Sequence, residues 1–362
     1  MKLALKVIAI LFTIPFLVLT VIRTQTVSAQ TQPTQVVTAG QSPRYHNIKV
    51  LNDMPADQLG RVMNLFSASL GVDCDFCHVT TDFSKDDKRP KETAREMIKM
   101  VMSINKENFN NRPRITCNSC HNGHMEPSPN PNLNAVAEPE RPKQPDTKPT
   151  VDQIFDKYVA ALGGKDKVDK ITSRIETATR TERDGNEVEQ ETVYYDSGKY
   201  ALKTVYPKAT VTEMYDGTTA LKFAKQPISL RVDEQEQIKR EAAVFKPAAL
   251  RAAYTKIDFG FLDRIDGNEA YMLIGTTAAN QRERLYFDVA TGLLVRRTMS
   301  SQTICGGFQY QVDYMDYKSF GGVKSPTTIK YAMPNLLWTR RILTLKNNVP
   351  VEADVFKAPP AG

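Results

Sequence analysis

Two short motifs contain four of the five cysteines in this chain of 362 residues. They are Cys74-Asp75-Phe76-Cys77-His78 and Cys117-Asn118-Ser119-Cys120-His121. In a Cys-x-x-Cys-His motif, both thiols can add to the vinyl groups of a haem, and the histidine can bind its iron. The motifs therefore predict two covalently bound haem c groups. The thioether cysteines would be Cys74, Cys77, Cys117 and Cys120, and the proximal ligands His78 and His121.

Methionines on two predicted helices are candidates for the opposite side of each iron. Leu59, Met63, Phe66 and Leu70 recur at helical spacing before Gly71, so Met63 lies on the buried face, close in sequence to Cys74. A second helix, predicted over 92–109, carries Met97 on its apolar face, with Met100 at the edge as the rival candidate. We predict Met63 and Met97 as distal ligands. The alternative is that these methionines only fill space in the core.

Other chemistries for the cysteine pairs are less consistent with the pattern. Zinc ribbons usually bring their Cys-x-x-Cys pairs closer together and need no histidine after each pair. A thiol–disulfide oxidoreductase would carry a single Cys-x-x-Cys at the start of a helix in a βαβ unit. The fifth cysteine, Cys305, lies in a strand-like stretch and is predicted to be a buried apolar residue.

The N-terminus has the features of an export signal. Lys2 and Lys6 precede an apolar run, and Val27-Ser28-Ala29 provides small residues for cleavage after Ala29. Residues 1–29 are therefore predicted to be a signal peptide, although an uncleaved membrane anchor is also compatible with the length of the apolar run. The predicted location is the periplasm or cell envelope. Residues 30–44 are rich in Gln, Thr, Ser and Pro and are predicted to be disordered.

Composition divides the remaining chain into two domains. Residues 45–125 are helical in pattern, and residues 126–150 contain recurring prolines, which predicts a stiff linker. Residues 151–362 begin with a helix that follows the capping pattern Thr150-x-x-Gln153, and then alternate in hydrophobicity between Gly-containing turns. The predicted fold class is multidomain: a small α-helical multihaem cytochrome c domain, then an α+β antiparallel half-barrel.

The stretch from Asp57 to Gly123 resembles the cytochrome c subunit of photosynthetic reaction centres. The similar segments are Ser-Ala-Ser-Leu-Gly-Val before the first motif, Thr-Ala-Arg-Glu-Met-Ile-Lys-Met-Val, and Ile-Thr-Cys-Asn-Ser-Cys-His-Asn-Gly. The resemblance implies the same two distal ligands, Met63 and Met97. That family carries four haems, whereas this chain has two motifs, so the resemblance does not imply a role in photosynthesis.

Residues 151–362 resemble the periplasmic lipoprotein-carrier half-barrels. The similar segments are Ile154-Phe155-Asp156-Lys157-Tyr158, Glu283-Arg284-Leu285-Tyr286-Phe287-Asp288 and Tyr314-Met315-Asp316-Tyr317. The resemblance implies an antiparallel sheet around a helix. It leaves two roles open for the domain: a lipid- or lipoprotein-binding carrier, or a packed domain that docks the cytochrome to a partner.

The sequence therefore predicts an exported dihaem c-type cytochrome that transfers single electrons between periplasmic or membrane-associated redox partners. If methionine occupies the sixth position of both irons, neither is open for catalysis, so we expect an electron-transfer protein rather than an enzyme. The net charge of +7 suits an acidic redox partner. The chain has no basic run with interleaved aromatic residues, which is the pattern that would indicate nucleic-acid binding. The alternative function is a lipid- or lipoprotein-binding half-barrel with an accessory cytochrome domain.

Overall fold

A computed structural model describes residues 37–130, 140–195 and 198–358. These residues belong to one compact unit. The predicted signal peptide, residues 1–29, lies outside the described ranges. Among the described helices, none has the length and apolar character needed to span a bilayer.

The order of elements is helices first and then mainly strands. The helices are α1 (Leu59–Leu70), α2 (Cys74–Cys77), α3 (Arg89–Phe109), α4 (Cys117–His121), α5 (Val151–Leu162), α6 (Lys165–Val168), α7 (Val232–Val244) and α8 (Pro247–Ala252). The strands are β1 (Ser173–Glu182), β2 (Glu187–Tyr195), β3 (Lys199–Tyr206), β4 (Ala209–Tyr215), β5 (Ala220–Phe223), β6 (Lys256–Ile265), β7 (Asn268–Thr276), β8 (Arg282–Asp288), β9 (Leu294–Thr303), β10 (Gly306–Phe320), β11 (Val323–Met333) and β12 (Leu336–Asn347). Short 3₁₀ turns lie at Ala56–Gln58 and Ala353–Phe356. The predicted fold class is confirmed.

The helical region has its own small core, and that core begins earlier than the sequence predicted. Its buried members are Ala39, Leu51, Met54, Leu59, Val62 and Ile98. The amide of Ala39 donates to the Met54 carbonyl at 2.7 Å, and the amide of Ala56 donates to Val37 at 2.9 Å. Residues 37–44 were predicted to be disordered from their polar composition. The structure corrects this part of the prediction, because backbone pairing with 52–56 buries the small side chain of Ala39.

The strands form a single antiparallel sheet in the order β5-β4-β3-β2-β1-β12-β11-β10-β9-β8-β7-β6. The first and last strands, β1 and β12, pair in its middle, with Arg174 opposite Asn347. Helix α5 contacts both β11 and β6, which are five positions apart in this order. In a flat sheet those strands would be about 24 Å apart, about twice the width of a helix. The sheet must therefore curl around α5, as expected for a half-barrel.

The start of α5 follows its predicted cap. The Thr150 hydroxyl accepts from the Gln153 amide at 3.1 Å, and the Gln153 side chain accepts from the Thr150 amide at 2.9 Å. This exchange gives hydrogen-bond partners to two of the amide groups that have none within the helix. The helix then buries four side chains in the sheet core: Ile154, Phe155, Tyr158 and Leu162.

The second half of the proline-rich segment lies along the edge strand β6. The Gln144 side chain donates to the Leu262 carbonyl at 2.8 Å and accepts from the Leu262 amide at 2.8 Å. Arg141 lies over the Phe261 ring at 5.8 Å. An exposed edge strand can pair with another chain. Residues 140–144 therefore cover part of this edge, in addition to connecting two regions of the chain.

The interior of the half-barrel contains a network of buried ion pairs. Glu283, 2 % exposed, lies 2.9 Å from Arg240 Nε and 3.5 Å from Arg297 Nε, and accepts from the Tyr254 hydroxyl at 2.6 Å. Arg297 also pairs with Glu241 at 2.5 Å. Burial raises the pKa of the Glu241 carboxyl, and the Arg297 guanidinium opposes that rise. An acyl chain would need apolar walls, whereas this part of the interior is occupied by paired charges.

The network gives a prediction about stability. Glu283→Gln keeps the side-chain shape but leaves Arg240 and Arg297 without a carboxylate at the centre. Loss of one partner of a buried ion pair costs about 3–5 kcal/mol. We therefore expect the free energy of unfolding to fall by that amount in urea titrations followed by far-ultraviolet circular dichroism. The control is Asp169→Asn, which removes the exposed pair with Lys165 and should cost less than about 1 kcal/mol. Equal effects of the two substitutions would contradict this account.

Candidate haem site

Each Cys-x-x-Cys-His motif forms one short helical turn that follows a longer helix. The first motif forms α2, shortly after α1, and the second forms α4, after α3. None of the four motif cysteines forms a disulfide in the described ranges; Cys74 and Cys120 are exposed, and Cys77 and Cys117 are half-buried. Burial raises the pKa of the Cys77 and Cys117 thiols.

The two motifs are brought together by a close backbone contact. Gly71 ends α1 in the left-handed conformation, with φ +66°, and a Cβ at this position would lie 2.1 Å from the Gly123 carbonyl oxygen. The Gly123 amide donates to the Ser69 carbonyl at 2.8 Å. Since Gly71 lies three residues before Cys74 and Gly123 two residues after His121, this contact sets one motif against the other.

Both motif histidines have their Nδ1 atoms hydrogen-bonded to backbone carbonyls. His78 Nδ1 lies 3.1 Å from Phe83 O, and His121 Nδ1 lies 3.0 Å from His124 O. Such a bond fixes the tautomer and orientation of a histidine and leaves Nε2 free for a metal. Burial lowers the pKa of the His78 imidazole, which favours the neutral, ligating form.

A single cavity of about 720 Å³ connects the two motifs. Of the eight predicted site residues, seven line it: Met63, Cys74, Cys77, His78, Met97, Cys117 and His121. The eighth, Cys120, is exposed and lies outside the lining. The rival methionine, Met100, does not line the cavity. Met97 and Met100 are similarly exposed, at 38 % and 45 %, so the cavity lining alone distinguishes them. The structure thus brings Met63 and Met97 to the same cavity as the motifs.

The cavity is chemically suited to a porphyrin. Apolar side chains such as Phe66, Leu70, Phe76 and Ile98 contribute to its walls, and its volume is within the range of about 300–1,000 Å³ usual for ligand pockets. In the described ranges, no cluster of three or more His, Cys, Asp or Glu side chains could hold a metal ion. The apolar walls and the cysteines and histidines of the motifs fit a haem that is tethered by thioethers.

Asn105 attaches the segment before the second motif to α3. Its side chain accepts from the amides of Arg114 and Ile115, both at 3.0 Å, and donates to the Ile115 carbonyl at 2.7 Å. The residue is 6 % exposed. The sequence did not identify this role, because an asparagine near a helix end usually caps the helix or faces solvent.

The loop after the first motif is held by charged side chains. Lys91 donates to the carbonyls of residues 83, 84 and 85 at 2.9, 3.1 and 2.6 Å. Asp86 pairs with Lys49 at 2.7 Å, Lys91 at 3.0 Å and Arg95 at 2.8 Å. Hydrogen bonds from Arg95 and its other partners hold the pKa of the Asp86 carboxyl well below its usual range. No sequence pattern indicated this arrangement either.

The half-barrel forms part of the support for the haem region. Arg61 of α1 forms an ion pair with Asp233 of α7 and donates to the Ser301 hydroxyl at 2.7 Å. Cys305 was predicted in a strand; it lies in the turn between β9 and β10, where it packs against the core of the helical region. Burial raises its pKa to about 12. A Cβ at the neighbouring Gly306 would lie 2.9 Å from the Thr116 methyl, so this turn contacts the residue before Cys117.

Comparison with known proteins finds a similarity for the helical region. Residues 17–159 match the model of the family described as "Photosynthetic reaction centre cytochrome C subunit". The predicted resemblance to these subunits is confirmed. The match implies covalently bound haem c.

Three curated relatives match the chain over part of their length. Cytochrome c-554 of Chloroflexus aurantiacus is 32% identical over 141 residues, which are 37% of this chain and 33% of that protein. The photosynthetic reaction center cytochrome c subunit of Roseobacter denitrificans is 32% identical over 94 residues, 23% of this chain and 25% of that protein. That of Thermochromatium tepidum is 31% identical over 121 residues, 32% of this chain and 29% of that protein. The chain thus spans about a quarter to a third of each relative.

Solved structures similar to the chain include two proteins with low sequence identity. A LolA superfamily protein from Nitrosomonas europaea has a TM-score of 0.40 and 13% identity, covering 56% of this chain and 97% of that one. A DUF1329 family protein from Desulfovibrio piger has a TM-score of 0.36 and 12% identity, covering 57% of this chain and 97% of that one.

The contact between the two motifs can be tested with a pair of glycine substitutions in or next to α1. Gly71→Ala places a side chain in the left-handed region and against the Gly123 carbonyl, and we expect a loss of at least about 1–3 kcal/mol in the free energy of unfolding. Gly60 lies within the helix and lines the cavity, and no protein atom lies within 4 Å of the position that a Cβ would take there. Both variants are therefore measured in protein without haem. Gly60→Ala should therefore stabilise by about 0.5–1 kcal/mol. Urea titration of both variants checks the signs; a neutral Gly71→Ala would refute the close contact.

Proposed function

We propose that this chain is an exported c-type cytochrome that carries two haem c groups and passes single electrons between redox partners. The observation that carries the proposal is the shared cavity, onto which both Cys-x-x-Cys-His motifs and two helix-borne methionines open. The match to the reaction-centre cytochrome family supports the same conclusion for residues 17–159.

The four motif cysteines would hold the two groups as thioethers. His78 and His121 would bind the irons on one side, and Met63 and Met97 on the other. Bound in this way, haem supplies a reversible one-electron couple between ferric and ferrous iron. The pairing of each methionine with a motif follows chain order: Met63 precedes the first motif and Met97 the second.

The chain's own residues would orient the ligands and limit the access of water. The carbonyls of Phe83 and His124 fix the two imidazole rings through Nδ1, and apolar walls surround the cavity. Methionine ligation raises a haem potential relative to a second histidine. A ligand on each side of both irons closes them to small molecules, so the proposed role is electron transfer and not catalysis.

The proposed partners are redox proteins, including a membrane-bound electron-transfer complex. This rests on the relatives named as reaction center subunits and on the net charge. The formal charge of +7 falls to +4 when residues 1–29, which hold three cations and no acid, are removed, and a positive charge favours an acidic partner surface. With two motifs, this chain would form a two-haem relay, half the number in the four-haem subunits.

The haem content can be tested by intact mass under denaturing conditions, after expression in a host that matures c-type cytochromes. We expect a mass equal to the chain from Gln30 plus two haems, because thioether bonds survive denaturation. A Cys74→Ser/Cys77→Ser variant should lose one haem and keep the other. A wild-type mass without haem would refute the proposal.

The distal ligands can be tested by potentiometric titration of methionine variants. In Met63→Ala and Met97→Ala, we expect one haem in each variant to fall in potential by at least about 60 mV, a tenfold change in a one-electron equilibrium. The same haem should bind carbon monoxide rapidly. The matched control is Met102→Ala, since Met102 is on the same helix as Met97, is 40 % exposed and does not line the cavity. Unchanged potentials in either test variant would contradict that assignment.

A further inference from the structure

The carbonyl of Phe83 accepts two hydrogen bonds of different origin. One is from His78 Nδ1, at 3.1 Å, and the other is from the Lys91 ammonium, at 2.9 Å. A cation therefore acts on the same oxygen that orients the predicted proximal ligand of the first haem.

Lys91 is built into this position. It lies in the first turn of α3, is 9 % exposed, and also donates to the carbonyls of Ser84 and Lys85. Its nearest carboxylate is Asp86, at 3.0 Å, which also pairs with Lys49 and Arg95. Arg95 also pairs with Glu92 at 2.7 Å. Two carboxylates thus serve three cations, so the positive charge next to the loop is only partly compensated.

The second motif has a different environment. His121 Nδ1 bonds to the carbonyl of His124, an exposed residue. Among the hydrogen bonds of the described residues, this carbonyl receives none from a lysine or arginine. The hydrogen bonds from His78 Nδ1 and His121 Nδ1 therefore differ in one respect: a buried ammonium donates to the carbonyl that accepts from His78, and none donates to the carbonyl that accepts from His121.

We propose that Lys91 is a positioning residue that raises the potential of the haem held by His78 above the value set by its axial ligands alone, and that the His121 haem lacks this contribution. The inference rests on the function proposed above. Lys91 lines the cavity but is not one of the predicted ligands. It acts on the His78 haem through the Phe83 carbonyl and through its charge.

Two physical effects of Lys91 have the same sign. A hydrogen bond from Nδ1 makes an imidazole a stronger donor to its metal, which favours the ferric state. An ammonium that competes for the acceptor weakens this bond. In a half-buried site, the positive charge also disfavours the additional charge of ferric iron more than it would in water. Both effects favour the ferrous state and so raise the potential.

The test is potentiometric titration of the full-length haem-loaded protein with three substitutions at Lys91. Lys91→Met removes the charge and the donor, Lys91→Gln removes the charge but keeps a donor, and Lys91→Arg keeps both. We expect Lys91→Met and Lys91→Gln to shift the equilibrium of one haem toward the ferric state by three- to tenfold. A tenfold shift corresponds to about 59 mV. The shifted step should be the one that moves in Met63→Ala, and Lys91→Arg should retain the wild-type value.

The matched control is Lys99→Gln on the same helix, where an exposed lysine pairs with Glu96; it should leave both steps unchanged. The inference would be overturned if the potentials of the Lys91 variants were unchanged or if both haems shifted equally. It would also be overturned if Lys91→Gln kept the wild-type potential, because the hydrogen bond alone, and not the charge, would then account for the effect. If Lys91→Met does not fold, the comparison of the Gln and Arg variants decides the question. Haem content measured in each sample separates the two proposals: a wild-type protein without haem refutes the function, whereas two haems with unshifted potentials refute only the role of Lys91.

Discussion

The contact between the end of α1 and the turn after α4 is the constraint on which the candidate site depends. A Cβ at Gly71 would lie 2.1 Å from the Gly123 carbonyl oxygen, and the Gly123 amide donates to the Ser69 carbonyl. This contact places the first motif directly after a helix that already touches the second motif. The shared cavity follows, because the two cysteine pairs and the two methionine-bearing helices must then surround one space.

The helical region and the half-barrel are joined by side-chain contacts as well as by the linker. Arg61 lies on the same helix as Met63, and it is held by Asp233 and Ser301 of the half-barrel. The turn containing Cys305 completes the core of the helical region. The buried ion pairs around Glu283 require precise packing of the sheet, so the half-barrel offers the helical region a well-ordered wall.

The local elements could be predicted from the sequence because their signals are local. The Thr150 capping pattern, the apolar spacing in α1 and the glycine after its last turn each involve neighbouring residues, and each is confirmed. The roles of Asn105 and Lys91 could not be predicted, since they depend on carbonyls that the chain brings to these side chains by folding. Composition also failed for residues 37–44, because a polar segment can be ordered by backbone pairing, as Ala39 shows.

The pairing of β1 with β12 has a consequence for the order in which the molecule can form. Arg174 and Asn347 are paired although almost the whole second half of the chain separates them in sequence. Pairing between such distant residues is slow to form. The turn that contacts Thr116 belongs to this late-forming sheet. A chain growing from its N-terminus therefore presents Cys117 and its neighbours before their wall exists. Under the proposed function, the enzymes that join haem to thiols would then meet an open, unshielded motif, and the half-barrel would enclose it afterwards.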